Sequence, residues 1–105
     1  MAAYAVAIVR ETRFGPEVRR YLELIDETLK PYGGQYRIHG GPYEKLEGAW
    51  TGDLIVIEFP DLERARAWYH SDNYAAIKSL RVANTTGEVF LVPGVDSQHK
   101  ATDIL

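Results

Sequence analysis

The sequence predicts one α+β domain in which strands and helices follow the order β-α-β-β-α-β. Three observations lead to this prediction. A continuous apolar run stands near the start of the chain at Tyr4–Val9, and a second stands near its middle at Leu54–Ile57. The segments that follow these runs repeat apolar residues at the three- and four-residue spacing of a helix. The chain has 105 residues, which is enough for one domain and too few for two.

The first strand and the first helix have the clearest patterns. Tyr4–Val9 is apolar at every position, which is typical of a short strand covered on both faces. Pro16 stands where a helix would begin, because its fixed φ suits the first turn. Gly33-Gly34 ends this helix. Its apolar residues share one face as far as Tyr32: Val18, Tyr21, Leu22, Ile25, Leu29 and Tyr32.

The next segment is predicted to be a long strand interrupted by glycine. Gln35–His39 alternates, which places Tyr36 and His39 on opposite sides. Gly40-Gly41-Pro42 breaks the alternation and Tyr43–Glu47 resumes it. We therefore expect a bulge or kink at the glycines.

A central strand, Leu54–Phe59, follows a turn at residues 48–53. We expect it to run antiparallel to the preceding strand, because the connection is short. Asp61 is placed to cap a second helix that ends at Tyr69. Ser71-Asp72 indicates a break and a new N-cap, so a last helix is expected over about Asn73–Arg81.

The chain closes with a predicted turn at residues 84–87, a strand over Glu88–Val92 and a polar tail. Pro93-Gly94 ends the strand. We therefore place a single ferredoxin-like domain at residues 1–95 and a mobile C-terminal tail at residues 96–105. Ile104-Leu105, at the end of that tail, could dock on a neighbour.

This order of elements, with right-handed crossovers, predicts the ferredoxin-like split β-α-β sandwich, an antiparallel sheet with helices on one face. The other face would be bare. Yet Tyr4–Val9 and Leu54–Ile57 are apolar on both sides, and a bare apolar face of this size needs a cover. We therefore expect a homodimer that packs sheet against sheet.

Composition and charge argue against several classes of function. The net charge is −3 with no basic block, which argues against nucleic acid as a partner. The absence of cysteine excludes disulfides, thiolate catalysis and cysteine-ligated metal. No apolar run approaches the roughly 20 residues of a membrane span, and the N-terminus lacks the basic region of a signal peptide. We therefore expect a cytoplasmic protein with no membrane partner.

Several short motifs together resemble a known family. They are Lys30-Pro31-Tyr32-Gly33-Gly34 with Gly40-Gly41, Leu46-Glu47-Gly48, Ile57-Glu58-Phe59-Pro60, and Ala67-Trp68-Tyr69-His70-Ser71 with Tyr74. Over roughly Tyr4–Val95 they look like the uncharacterised "thirteen-thirty" domain-of-unknown-function family of the dimeric α/β-barrel superfamily. The resemblance implies a ferredoxin-like fold and a sheet-to-sheet dimer. It implies no reaction, since the superfamily includes cofactor-free monooxygenases, lactone isomerases and haem enzymes.

In this fold a pocket would lie between the sheet and its helices. His39 is the best single candidate for a catalytic residue, because histidine titrates near neutrality and this one stands at a strand end. A hydrogen-bonded structural histidine would explain the same position, and members of the resembled family often carry Arg there. The other residues expected to reach the pocket are Arg37, Trp68, Tyr69, His70, Ser71, Tyr74 and Arg81.

Each of these other candidates also has a structural explanation. Trp68, Tyr69 and Tyr74 would line a pocket for a planar ligand or would serve as core or dimer contacts. His70 and Ser71 end a helix, where a histidine interacts favourably with the C-terminal dipole.

The charged candidates also leave alternatives open. Arg81 would bind a carboxylate or would be a solvated last-turn cation. Glu58 stands in an apolar strand and is expected to pair with Arg37 on the neighbouring strand, as a structural pair rather than a catalytic one.

The three histidines, His39, His70 and His99, are far apart in sequence and match no ligand motif. We therefore expect no metal and no cofactor.

Two hypotheses of different classes follow. In the first, the protein binds or transforms a small aromatic or polyketide-like molecule without a cofactor, with His39 as base and tyrosines as hydrogen-bond donors. In the second, it is a non-catalytic dimeric binding or interaction module whose aromatic residues form the core. An open pocket reached by His39 and Tyr74 would favour the first hypothesis, and a filled interior would favour the second.

Overall fold

The computed structural model describes residues 1–105 and contains a four-stranded sheet and three α-helices. No helix combines the length and the hydropathy that crossing a membrane requires. A 3₁₀-helix at Lys30–Tyr32 extends the first α-helix, and another at Ala101–Ile104 lies near the C-terminus. The main elements are β1 (Ala3–Thr12), α1 (Pro16–Leu29), β2 (Gln35–His39), β3 (Asp53–Phe59), α2 (Leu62–Tyr69), α3 (Asp72–Val82) and β4 (Thr85–Pro93).

The sheet has the strand order β2-β3-β1-β4, and every neighbouring pair is antiparallel. β1 and β2 therefore run parallel with β3 between them, and the crossover that joins them contains α1. β3 and β4 likewise flank β1 and are joined through α2 and α3. The predicted α+β class, the order of elements and the antiparallel pairing of β3 with β2 are confirmed.

The core lies between the helices and one face of the sheet. On β1 and β3, the residues of this face pair Ala3 with Phe59 and Ala5 with Ile57, and all four are buried. Alternation along the strands keeps the other buried strand residue, Val9, on the same face. The helices bury Val18, Tyr21, Ile25, Thr28, Leu29, Ala65, Trp68, Tyr74 and Ile77.

The opposite face of the sheet has an apolar centre, and none of the residues of this face is buried. Val6 at its centre pairs with Val56 on one side and with Phe90 on the other. Phe90 is 44% exposed and Val92 is 38% exposed. We call this surface, formed by Val6, Ile8, Val56, Phe90 and Val92, the open face.

Helix capping follows the predicted pattern. The Asp61 carboxylate accepts a hydrogen bond from the Arg64 backbone N–H at 2.8 Å and begins α2. The Ser71 hydroxyl accepts from the Tyr74 N–H at 3.2 Å and begins α3. The predicted break between the last two helices is therefore confirmed. On α1, by contrast, Leu22 was assigned to the buried face and is 43% exposed.

The predicted second part of β2 does not form. Residues 40–52 contain no strand, and Tyr43 and Trp50 instead bring their rings to 5.4 Å from each other. The Gly52 N–H donates to the Tyr43 hydroxyl at 3.3 Å. An extended pattern becomes a strand only where a neighbour offers a ladder of hydrogen bonds, and β3 pairs with only the segment that precedes Gly40.

The predicted turn at residues 84–87 is wrong, because β4 begins at Thr85. Thr85 pairs with Thr12 and Thr86 with Glu11, so β1 and β4 extend together beyond the apolar part of β1. Gly87 is a strand residue whose missing side chain matters: a Cβ there would collide with the Ile8 carbonyl oxygen. This glycine therefore permits close pairing of the two strands and does not mark a turn.

Candidate ligand-binding site

A cavity of about 320 Å³ lies between the helix-covered face of the sheet and helices α1 and α3. Its sheet wall includes Ala5 and Ala7 of β1, which face the same side as Ile57 and Ile55 of β3. Because the two alanines are small, space remains between the central strand and the helices. Fifteen of the 22 residues that line the cavity are hydrophobic, so an apolar molecule would be favoured there.

Three hydrogen-bonded polar side chains in the cavity wall connect α1 to α3. The hydroxyls of Tyr21 and Tyr74 lie 2.7 Å apart, and Arg81 Nε donates to the Tyr74 hydroxyl at 3.3 Å. Tyr21 and Tyr74 are buried, at 7% and 2% exposure, whereas Arg81 is partly exposed. Since the Tyr74 oxygen accepts from Arg81, its own hydrogen can point to Tyr21. The Tyr21 hydrogen is then free to serve a ligand.

The protonation of this group follows from its surroundings. Burial, reinforced by the neighbouring Tyr74, raises the pKa of Tyr21 well above its usual range. For Arg81, burial alone would lower the pKa, but the Tyr74 and Tyr21 hydroxyls outweigh it and the pKa is raised. At neutral pH the group therefore presents the Arg81 cation and the neutral Tyr21 phenol, which act as hydrogen-bond donors rather than as bases.

His39 reaches the cavity because of a bulge in β2. Tyr36 pairs with Ile57 but Ile38 pairs with Val56, so Arg37 is an extra residue that shifts the alternation. His39 then faces the same side as Tyr36, and the two rings stack with centroids 4.5 Å apart. The prediction that they lie on opposite sides is wrong, and the bulge lies at Arg37 rather than at the glycines.

Arg37 is a predicted pocket residue that the structure places elsewhere. Its side chain donates from Nε to Glu58 Oε1 at 3.2 Å, and it does not line the cavity. Glu58 pairs with Tyr4 in the sheet, opposite the helix-covered side. The predicted Arg37–Glu58 ion pair is confirmed, and it fixes Arg37 beside the open face.

Trp68, Tyr74 and Arg81 line the cavity together with His39. Trp68 is also a core residue, since it is 2% exposed and its Nε1 donates to Thr28 Oγ1 at 2.9 Å. Trp68 is therefore both a core residue and a pocket residue, since one part of its ring packs in the core and another part borders the cavity.

Tyr69, His70 and Ser71 do not line the cavity. The Tyr69 ring lies against Trp68 and Tyr74, and Lys78 Nζ stands 4.9 Å from its centre. His70 and Ser71 border a separate, shallow polar depression, where the Ser71 hydroxyl is occupied in capping α3. All three side chains were predicted to reach the pocket, and the structure places them outside it.

Comparison with known proteins places the chain in a family. A family model described as "Domain of unknown function (DUF1330)" matches residues 2–95. The chain belongs to this family. The resemblance inferred from its motifs is confirmed. No curated protein matches the sequence.

Solved structures include proteins similar in fold to this DUF1330 protein. RPA0582, a protein of unknown function from Rhodopseudomonas palustris, has a TM-score of 0.69 at 13% identity, covering 90% of this chain and 83% of its own. Its methylated form gives a TM-score of 0.68 at 12% identity, covering 93% and 84%. A conserved protein from Methanosarcina mazei Go1 has a TM-score of 0.53 at 18% identity, covering 90% and 94%. At these identities the likeness shows the fold alone.

Sequence reasoning missed several polar residues of the DUF1330 cavity, among them Tyr21, Tyr36 and Asp53. Tyr21 was assigned to the apolar stripe of α1, although a tyrosine in such a stripe needs a partner for its hydroxyl. Asp53 was assigned to a turn and is the first residue of β3, where it pairs with Val9. No three His, Asp or Glu side chains of the chain are arranged to hold a metal ion.

Proposed function

We propose that this DUF1330 protein binds a small aromatic or polyketide-like molecule in the cavity between sheet and helices, without a cofactor. The cavity itself carries the proposal. Its volume of about 320 Å³ falls at the lower end of the range of small-molecule pockets. A mostly apolar wall with a few polar groups is the usual composition of such pockets, and this one offers Tyr21, Tyr74 and Arg81 on one side and His39 and Asp53 at the β2–β3 edge.

The proposal extends to proton transfer with His39 as the base. The His39 side chain is solvent-accessible and reaches the cavity beside Tyr36, so a ligand ring near Tyr36 would be within its reach. A proton taken from an acidic C–H or O–H would leave negative charge on the ligand oxygen. The donors of Tyr21 and Arg81 would stabilise that charge.

Ligand-induced shifts in amide NMR spectra test the binding proposal. Guaiacol and naphthol are suitable one-ring and two-ring phenols. We expect them to shift the signals of Ala5, Ile57 and Tyr74 and to leave Ile104, in the tail, unchanged. Ala7→Leu should remove these shifts by filling the space, whereas Ala75→Leu, on the exposed side of α3, should keep them. Shifts that survive Ala7→Leu would place binding outside the cavity and refute the proposal.

We propose further that the fold is the ferredoxin-like sandwich and that two chains pack through their open faces as a dimeric α/β barrel. The antiparallel strand order β2-β3-β1-β4 supports the first part. The uncovered apolar residues Val6, Phe90 and Val92 support the second. They also favour the alternative function, a non-catalytic dimeric interaction module. If no test detects a ligand in the cavity, the interaction module becomes the better supported of the two functions.

A further inference from the structure

The surroundings of the Arg81 charge differ from those of the arginines that form ion pairs. Arg81 is the only arginine that lines the cavity, and it forms no ion pair with a carboxylate. Its hydrogen-bond partner is the Tyr74 hydroxyl. Four other arginines pair with carboxylates nearer the surface: Arg10 with Glu88, Arg19 with Glu23, Arg37 with Glu58 and Arg64 with Asp61.

An unpaired cation at a partly buried position is costly. Removing a guanidinium from water sacrifices hydration, and neutral phenols replace only part of it. An anion would complete the group, since the planar fork of arginine suits two oxygens of a carboxylate. Asp53 is the only carboxylate residue on the cavity wall, and it does not pair with Arg81. The protein therefore leaves this position open to an anionic group from outside.

The apolar part of the cavity determines the rest of such a molecule. The walls of the cavity that Arg81 lines include Ala5, Ile25 and Ile57, and the Trp68 and Tyr74 rings lie close to one another at 4.2 Å between centroids. A hydrophilic acid would lose hydration against these walls, whereas a flat hydrocarbon skeleton would gain contact with them.

We propose that the ligand is an aromatic or conjugated carboxylic acid whose carboxylate binds the Arg81 guanidinium and the Tyr21 hydroxyl. Its ring lies against the apolar wall. This inference rests on the proposed function and specifies the ligand class for the same cavity. The acid is recognised by charge at one end and by shape and hydrophobicity along the rest.

Calorimetric titration with cinnamate and cinnamamide tests the inference on the unmodified protein. The two probes share their conjugated skeleton and differ in charge. A charge-assisted hydrogen bond is about twice as strong as a neutral one, so we expect cinnamate to bind at least about tenfold more tightly. Equal binding of both probes would overturn the carboxylate inference and keep the cavity proposal. Failure of cinnamate, cinnamamide and the phenols alike to bind would overturn both.

Variants of Arg81 test whether its guanidinium is the group that binds the ligand carboxylate. Arg81→Gln should reduce cinnamate affinity to that of cinnamamide, and Arg81→Lys should give an intermediate value, because it keeps the charge and loses the planar fork. Arg66→Gln is the matched control, since Arg66 occupies the last turn of α2 and is exposed. Cinnamate affinity that survives Arg81→Gln in a folded protein would refute the assignment. If that variant does not fold, the comparison of the two probes on the unmodified protein still decides.

Discussion

Trp68 connects α2 to the rest of the core. Its ring centre lies 5.4 Å from that of Phe59 and 4.2 Å from that of Tyr74, and its indole N–H is satisfied by Thr28. Its substitution therefore removes packing and leaves the Thr28 hydroxyl without its donor.

We expect Trp68→Ala to lower the free energy of unfolding by roughly 3–5 kcal/mol, as for other buried aromatic residues. Chemical denaturation measures the change. Trp50→Ala is the matched control, because Trp50 is 40% exposed and lies in the loop at residues 40–52. An unchanged denaturation midpoint for Trp68→Ala would show that the side chain is not part of the core.

The raised pKa values of the partly buried Tyr36 and the buried Tyr21 predict a loss of stability at alkaline pH. Burial raises the pKa of Tyr36 from 10.0 to about 12 in the folded protein. Between these values the unfolded chain releases the proton and the folded chain retains it, so the free energy of unfolding falls as pH rises. Tyr21, whose pKa is also raised, continues the fall at higher pH.

Urea denaturation at successive pH values measures this effect. Tyr36→Phe should flatten the decline between pH 10.0 and about 12, because the titrating hydroxyl is absent. Tyr43→Phe is the control, since Tyr43 is exposed. An identical slope in Tyr36→Phe and the unmodified protein would contradict the assignment.

At the residue level, the sequence predicted which aromatic side chains are buried, but it predicted less well which residues they contact. Trp68 and Tyr74 could be named because their types and helical positions indicate burial. The contact of Tyr21 with Tyr74 could not be predicted, since it depends on how α1 packs against α3. A hydroxyl on an apolar stripe indicates that a partner exists without saying which one.

Helices α2 and α3 begin at side-chain caps that can be tested singly. The Asp61 carboxylate accepts from the Arg64 N–H at 2.8 Å. Asp61→Ala should lower stability by about 0.5–2 kcal/mol, and Asp61→Asn should largely retain it, because asparagine also caps. Thermal denaturation measures both variants. Equal losses in the two would show that the negative charge, and not the cap, is what stabilises α2.

At the element level, the limits of prediction lie where pairing overrides pattern. β2 alternates over Gln35–His39, and no residue type in it reveals the bulge at Arg37. β4 begins at Thr85 because β1 offers a partner there, although Gly87 suggested a turn. The caps at Asp61 and Ser71, by contrast, are local interactions, and the sequence predicted both.

The open face governs how the whole molecule would assemble. Val6→Asp would place a charge at the centre of this face, between Val56 and Phe90. If two chains pack there, the charge is buried without a partner, and we expect the dimer to dissociate. Light scattering after size-exclusion chromatography gives the mass directly.

Ala75→Asp, on the exposed side of α3, serves as the control for assembly and should leave the mass unchanged. A circular dichroism spectrum establishes whether Val6→Asp is folded. A monomeric unmodified protein would refute the dimer, as would a folded Val6→Asp variant that remains dimeric.

For the whole molecule, the order of elements and the antiparallel pairing of β2 with β3 followed from the sequence, because periodicity and connection length are local properties of the chain. The place of a pocket between sheet and helices was predicted, but whether it is open was not, since that depends on how far the helices stand from the sheet. The alanines of β1 were visible in the sequence, but they were interpreted only as part of an apolar strand.

Those alanines have a consequence for how the cavity behaves over time. An alanine side chain has no rotatable torsion that could swing into the space, so the wall formed by Ala5 and Ala7 cannot close by changing rotamer. The sheet behind it is held by pairing with strands on both sides. These two residues therefore cannot block the cavity themselves, and a ligand that enters would not have to displace their side chains.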